Sequence, residues 1–423
     1  MSMPVRTLPV LQNWDCHVTG TCCKEYRVTL SADEVERIEG QNWDAEKDLG
    51  GLPPLKRSGP PWSRQIQLNH HEDGSCVFLS SEGRCRIHER FGYEAKPLPC
   101  RLFPFVLVPA GDHWRVGLRY ACPSAASNKG RALPEHQEDL LAFASQLARR
   151  ENLEKQSDGS LTPPPRMDNG ERLPWPSVLR IVDGLMKILR NRKDPVELRL
   201  RKALHLAHDM RKSRLAAIEG ARLGDLIDLL TTSADADTPA NPAQIAPPNW
   251  IGRILFRQSV ALLTRKDHGP NRGLASRGRI ALFKAAMRFT RGTGPIPRLH
   301  AGLPESTFEQ AEEPRGPLSA EAEAILERYY MIKVGSLQFC GPASFGLPFW
   351  EGFEALMITL PAILWVARMD RKRSREEAIT RALTVVDDHI GFNRVLAGLR
   401  QRLSFRILAR TGELSRLLAW YSR

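Results

Sequence analysis

Cys16-His17-Val18-Thr19-Gly20-Thr21-Cys22-Cys23 opens the stretch that decides how this chain is read. Seven of the eight cysteines (Cys16, Cys22, Cys23, Cys76, Cys85, Cys100 and Cys122) fall between residues 16 and 122 of 423, and Cys340 stands alone beyond them. Random placement does not produce that distribution. The spacing is C-x5-C-C, then 52 residues, C-x8-C, 14 residues to Cys100 and 21 to Cys122. None of this is the paired C-x2-C of a zinc ribbon. The opening residues carry no apolar run of a secretory signal, so the chain reads as cytoplasmic, and in reducing surroundings thiolates serve as ligands for a soft metal rather than as disulfides. Thiolates gathered at one point repel one another unless a cation offsets them, and zinc or iron does so while stripping the thiol protons. Four suit tetrahedral zinc or an iron–sulfur cluster. Seven exceed one four-ligand site, leaving either spare thiols or a second site. The competing reading packs cysteines into a core as small apolar residues, and it suits isolated Cys340 best.

Outward from the cysteines, local signals describe a compact, irregular unit. Adjacent cysteines on a strand would face opposite sides, so Cys22-Cys23 are expected in a turn behind Thr19-Gly20-Thr21. Arg27–Leu30 reads as a short strand, and Ser31-Ala32-Asp33-Glu34 as a capping box opening a helix through Glu39. Residues 50–63 are rich in Gly and Pro and read as loop. Gln65–Asn69 and Cys76–Leu79 read as strands. Phe103–Pro109 and Trp114–Arg119 form a hairpin around Ala110-Gly111-Asp112. Three prolines in Pro97-Leu98-Pro99-Cys100-Arg101-Leu102-Phe103-Pro104 stiffen the segment that carries Cys100.

These pieces occur in the order of a known family. Cys16 to Cys23, Cys76-Val77-Phe78-Leu79, Gly83-Arg84-Cys85-Arg86-Ile87-His88 and Cys100-Arg101-Leu102-Phe103-Pro104 together resemble the YkgJ-type cysteine-cluster domain, a zinc- or iron-chelating module, over residues 14–127. Cys16, Cys22, Cys23, Cys76, Cys85, Cys100 and Cys122 match its pattern one by one, so the resemblance implies that these seven are the metal ligands. Within that family the chain is similar in length to the bacterial flagellin lysine N-methylases. Ala121-Cys122-Pro123-Ser124-Ala125-Ala126, Glu327-Arg328-Tyr329-Tyr330 and the segment Phe349–Arg368 resemble parts of them. That likeness implies methyl transfer from S-adenosylmethionine to the lysines of a flagellin-like protein partner. It assigns no catalytic residue.

The remainder reads as helices. They are expected over Leu133–Ala148, Ser177–Arg190, Pro195–Ile218, 250–266, 277–290, Ser319–Gln338, Trp350–Arg368, Ser374–Leu396 and 401 to the end, with loops near 157–176, 231–248 and 291–318. The fold class is therefore α+β. A small cysteine-rich metal-binding domain with short strands spans residues 1–130, and a mainly α-helical region spans 131–423. The apolar run Phe353–Ala367 is about 15 residues long, short of a comfortable bilayer span, so no transmembrane segment is expected.

The net charge is +13, and residues 1–130 hold 16 basic and 15 acidic side chains, so the excess lies in the helical region. It reads either as an Arg-rich solvated surface or as a docking face for an acidic partner. No groove-reading or stacking motif for nucleic acid is present. Neither a G-x-G-x-x-G fingerprint, a P-loop, a G-x-S-x-G elbow nor an H-E-x-x-H helix occurs. Other residues draw notice. His17, His70, His71, His88 and His113 lie among the cysteines and read as extra ligands or ordinary hydrogen-bonded histidines. Arg101 reads as a donor to a thiolate, a substrate anchor or a surface ion pair. Tyr329, Tyr330 and Asn393 are noted in the helical region; Asp387-Asp388-His389 reads as an acid/base group or as helix surface, and Glu351 and Glu354 as binders of a cation or a lysine or as exposed first-turn carboxylates. Two function classes stay open: a metal enzyme, and a metal-binding module for sensing or structure.

Overall fold

The computed structural model describes residues 3–6, 11–213, 215–274 and 278–423. Short strands and small sheets are confined to roughly the first 130 residues and helices dominate thereafter, which is the expected α+β architecture.

The first helix, α1 (Thr21–Glu25), starts directly after Gly20, whose φ of 65° lies in the left-handed region that glycine adopts without penalty. Cys22 and Cys23 thus sit on a helical turn rather than in an open one. Helix α2 (Ala32–Gly40) is opened by the expected Ser31–Glu34 capping box. The buried Glu34 carboxylate also accepts the Leu98 N–H (2.6 Å) and the Arg150 guanidinium (2.9 Å), joining three separate segments. Strand β1 (Leu55–Ser58) pairs antiparallel with β2 (Gln65–Leu68). It lies inside the segment expected as loop, because an edge ribbon with Lys56 and Arg57 at its centre shows no apolar alternation. The expected strands at Arg27–Leu30 and Cys76–Leu79 reduce to single bridges, Thr29 with Gln67, His70 with Cys76 and Leu79 with Cys85. Turns at Gly74 (φ 89°) and Gly83 (φ 80°), on either side of Cys76–Leu79, leave no room to extend that one.

Helices α3 (Arg86–Phe91) and α4 (Leu98–Leu102) follow, then the hairpin of β3 (Phe105–Ala110) and β4 (His113–Leu118), paired from Phe105–Leu118 to Ala110–His113. All six β4 residues are buried, and the short strand Val5–Arg6 adds to it in parallel.

The helical region comprises α5 (Gln137–Arg150), α6 (Trp175–Leu189), α7 (Val196–Lys212), α8 (Gly220–Asp237), α9 (Trp250–Thr264), α10 (Arg279–Arg291), α11 (Ala320–Gly335), α12 (Phe349–Met357), α13 (Thr359–Met369), α14 (Arg375–Asp387), α15 (Leu399–Arg410) and α16 (Glu413–Tyr421), with a short helix, Phe308–Glu312, opened by a Thr307 capping box inside the expected loop 291–318. Position 277, where one helix was expected to begin, lies outside the described residues. Helix α8 runs into the expected loop 231–248 as far as Asp237, because Ala234 is buried and the Ser233 hydroxyl bonds Asp237. The expected single helix Trp350–Arg368 is two helices. Pro361 has no N–H for the Met357 carbonyl, so the helical ladder breaks between them. Together Phe349–Met369 span 21 residues, long and apolar enough to cross a membrane by length and composition, but 94% of that window is buried inside the protein. It is the central element of the core. Gly412 (φ 74°) likewise divides the expected C-terminal helix into α15 and α16.

One apolar core runs from Trp14, β3 and β4 through the helices to Tyr421. A second, small one holds Leu30, Ile38, Leu49, Leu68, Val77, Phe78 and Ile87, with Cys23, Cys85 and Cys100 packed against it. Part of the basic excess is internal and satisfies helix C-termini. Arg199 donates to the Leu189 carbonyl at the end of α6 (2.6 Å), Arg257 to Phe289 near the end of α10 (2.9 Å), and Arg368 to Tyr421 at the end of α16 (2.8 Å).

Candidate metal centre

A cavity of about 680 Å³ opens between the small core and the helical region. Five thiols line it: Cys22, Cys23, Cys76, Cys85 and Cys100. Four separate segments bring them there. Cys22 and Cys23 sit on α1. The N–H of Cys76 donates to the Cys23 carbonyl (2.7 Å), which ties the Cys76 turn to α1. Cys85 precedes the first residue of α3, and Cys100 is the third residue of α4, whose start is fixed by Pro97 and Pro99.

The Cys22 and Cys23 sulfurs lie 3.9 Å apart. The hydrogen bond from the Cys23 thiol, helped by the Lys96 charge, brings Cys22 down to about 7. That same bond, together with burial, pushes Cys23 upward. Burial raises Cys76 to about 12 and Cys100 well above the ordinary thiol range. These are mostly protonated thiols, which a bound soft cation would ionise. They line the cavity on the side of the small core, and among the described residues no group of three or more His, Cys, Asp or Glu side chains is arranged as it stands to hold a metal ion. Cys16 is exposed and Cys122 is buried ahead of the short helix Pro123–Ala126, both outside the cavity lining. Cys340 is buried in the main core.

Of the five histidines in the cysteine region, His70 lines the cavity. Its ring nitrogens lie 3.0 Å from the Leu68 carbonyl and 3.1 Å from that of Tyr26, and the one N–H of the neutral ring donates to one of them, depending on the tautomer. His113 is buried between Asp112 and Arg115, and His17 and His88 are exposed. Arg101 turns away from the thiols. It is buried against Glu94 and Gln146, with its guanidinium over the Phe143 ring. The reading of Arg101 as a thiolate donor is therefore corrected.

The opposite wall comes from residues 265–268 and 388–394, and it overturns the helix-surface reading of Asp387, Asp388 and His389. Helix α14 stops at Asp387, well short of Leu396, and the chain then turns inward. Asp387 is fully buried on Lys333 (2.7 Å) and accepts the Tyr120 N–H (2.6 Å). Asp388 accepts the Tyr26 hydroxyl (2.7 Å) and Arg119 (3.2 Å) and pairs with Lys266, which also reaches Glu25 (3.0 Å). His389 is buried and bonds Asn393. Glu351 and Glu354 are not exposed first-turn carboxylates. Glu351 is buried under Arg402 (2.6 Å) and Arg406 (3.0 Å), and Glu354 under Arg211 (2.7 Å). Tyr329 and Tyr330 are core residues. Sequence reasoning missed Tyr26, Arg119, Lys266 and His268.

Residues 15–129 match the family model CxxCxxCC, described as "Putative zinc- or iron-chelating domain". This region carries a cysteine-cluster domain of that kind. All five cavity-lining thiols fall inside the match. In the chain's own C-x5-C-C string, Thr19 stands where a C-x2-C-x2-C-C string has its second cysteine. No curated protein matches the chain, and no solved structure does.

The wall makes a pH prediction. Burial alone would raise Asp388, but Lys266 and Arg119 outweigh it and hold the carboxyl at about 2 against an ordinary 3.8. Burial lowers His389 to about 4 from 6.5. Both folded values lie below the unfolded ones, so stability is full above about pH 6.5. It falls as the unfolded chain takes up a proton at His389 between 6.5 and 4, and again at Asp388 between 3.8 and 2. Each group is worth about 2–3 kcal/mol. Urea midpoints measured from pH 7.5 to 4 should fall, and His389→Asn should flatten the decline. An unchanged slope in that variant would contradict the assignment.

Proposed function

We propose that Cys22, Cys23, Cys76, Cys85 and Cys100 supply the ligands of an iron–sulfur cluster and that the adjoining cavity admits the molecule on which it acts. The observation that carries this is the meeting of five thiols, drawn from four segments, on one wall of a cavity whose other wall is charged. Structural zinc sites are closed, whereas these thiols face open space. When bound, such a centre supplies electron transfer or an open Lewis-acid position. The chain's own part is to offset thiolate charge with Lys96, to hold Cys100 on a proline-stiffened turn, and to fix the facing wall through the Tyr26–Asp388–Lys266–Arg119 knot. Cys16 and Cys122 stand as the spare thiols of this proposal. The thiol chemistry calls for reducing surroundings, which makes a cytoplasmic location part of it.

A finer reading, methyl transfer from S-adenosylmethionine to a lysine of a flagellin-like protein, draws support from the resemblance and from one observation. The cavity lining holds seven cationic side chains against three carboxylates. A cationic wall favours the neutral, nucleophilic form of an entering lysine amine.

The test is anaerobic purification followed by metal and sulfide analysis and a visible spectrum. Iron with matching sulfide and a broad thiolate-to-iron charge-transfer band is the expected result. Stoichiometric zinc without colour moves the protein to a structural or sensing role, and a folded sample without metal removes the proposal. Transfer of a labelled methyl group to flagellin in the presence of S-adenosylmethionine tests the finer reading, and no incorporation by metal-loaded protein ends it.

A further inference from the structure

The three carboxylates on the cavity wall are already taken. Asp388 is held by Arg119 and Lys266, Glu25 by Lys266 (3.0 Å) and Asn271 (2.6 Å), and Asp267 by Arg265 (2.6 Å). Arg27 and Arg394 line the same cavity with no ion-pair or hydrogen-bond partner among the described residues. Arg119 is locked in place, its guanidinium 3.5 Å from the Phe392 ring centre and 4.3 Å from that of Tyr26. Its Nε is buried and has no hydrogen-bond partner. Lys96 belongs to the thiol side, where its charge favours ionised Cys22 and Cys100. Metal–thiolate charge therefore accounts for Lys96 and leaves Arg27 and Arg394 unexplained.

We infer that the wall facing the thiols binds a small organic oxyanion, a molecule bearing a carboxylate or phosphate group. Guanidinium groups recognise both through paired, charge-assisted hydrogen bonds. Arg27 and Arg394 are exposed, so the attraction is sensitive to salt. The size, about 680 Å³, accommodates a metabolite and not a folded chain. This names a ligand class of the site proposed above, separate from the lysine of the finer reading, and rests on that proposal for the anion's role beside the metal, but the binding wall itself needs no metal.

The test is isothermal titration of the full chain as purified, with pyrophosphate and citrate as probes, the metal content being measured on the same sample. At least one probe should bind, with affinity falling as salt rises. The double variant Arg27→Gln/Arg394→Gln should weaken binding about tenfold or more at unchanged metal content. Both residues are exposed and unpaired, so the fold should persist. Preference for pyrophosphate assigns a phosphate ligand, and preference for citrate a carboxylate. Failure of both probes to bind at about millimolar concentration, or equal affinity in the double variant, overturns the inference. Retained metal without anion binding sinks this inference alone, and anion binding by metal-free protein sinks the metal reading alone.

Discussion

Cys100→Ser should empty the chain of metal, the bound stoichiometry falling to near zero, while Cys16→Ser and Cys340→Ser keep it. Cys100 lines the cavity from a helical turn whose entry is fixed by Pro97 and Pro99, so no neighbouring backbone shift can bring another donor to the same spot. A serine hydroxyl is a hard, protonated ligand and replaces a thiolate poorly at a soft metal. Because an unfolded chain offers no preformed site, the binding energy of a structural metal is also folding energy, about 10–16 kcal/mol for zinc in small peptide domains. The core beneath these thiols is small: Leu30, Ile38, Leu49, Leu68, Val77, Phe78 and Ile87 with Cys76. A core of that size gains much from a metal staple. The variant should therefore lose metal and also protection from hydrogen exchange across residues 21–100, while the main core, which Cys340 belongs to, stays protected. Exposed Cys16 serves as the control for loss of any thiol. Full metal occupancy in Cys100→Ser, or equal loss in Cys16→Ser, would show that the ligand set is wrong.

Local signals read well from sequence where the physics is local. The capping box at Ser31–Glu34 stands where the spacing put it. The hairpin forms around Gly111, because apolar alternation and a turn glycine lie within one short segment. The thiol wall was visible as a cluster of one residue type. The facing wall was not. Tyr26 and Asp388 are 362 positions apart, and Lys266 meets Asp388 across 122. No periodicity records such a meeting. Asp388 and His389 were misread for a definite reason. The expectation assumed that the helix continued past Asp387, which would spread three adjacent side chains around an exposed surface. The helix ends there instead, because the Asp387 carboxylate is committed to Lys333 and Tyr120. Glu351 and Glu354 were misread because helix-dipole arguments favour exposed first-turn acids equally well, and only the packing of α7 and α15 supplies the arginines that allow burial.

Asp387 is consequently the residue whose loss should cost most in stability. Its carboxylate and the Lys333 ammonium are both essentially inaccessible, with side-chain exposures of 0% and 1% at a separation of 2.7 Å. Lys333 also donates to the Leu118 carbonyl (3.1 Å), and Asp387 accepts the Tyr120 N–H (2.6 Å), so the pair pins the end of β4 to α11 and to the end of α14. Burial pulls Lys333 below the ordinary lysine range, with Asp387 opposing it. Asp387→Ala leaves that ammonium unpaired in the core, which typically costs about 3–5 kcal/mol. The variant should be least stable near neutral pH and recover as pH rises. A folded-state pKa below the unfolded one means that the unfolded chain holds the extra proton, and alkali removes that preference. Adding Lys333→Met should restore much of the loss, since no charge is then stranded, but not all of it, because the Tyr120 N–H still lacks an acceptor. The adjacent Asp388 holds Tyr26, Arg119 and Lys266 in the cavity, so a displaced α14 end should also loosen that wall and weaken pyrophosphate or citrate binding. Urea unfolding of the single and double variants at pH 7 and pH 9.5 decides the matter. A loss below about 1 kcal/mol in Asp387→Ala, or no rescue by Lys333→Met, would mean that this pair does not hold the two regions together.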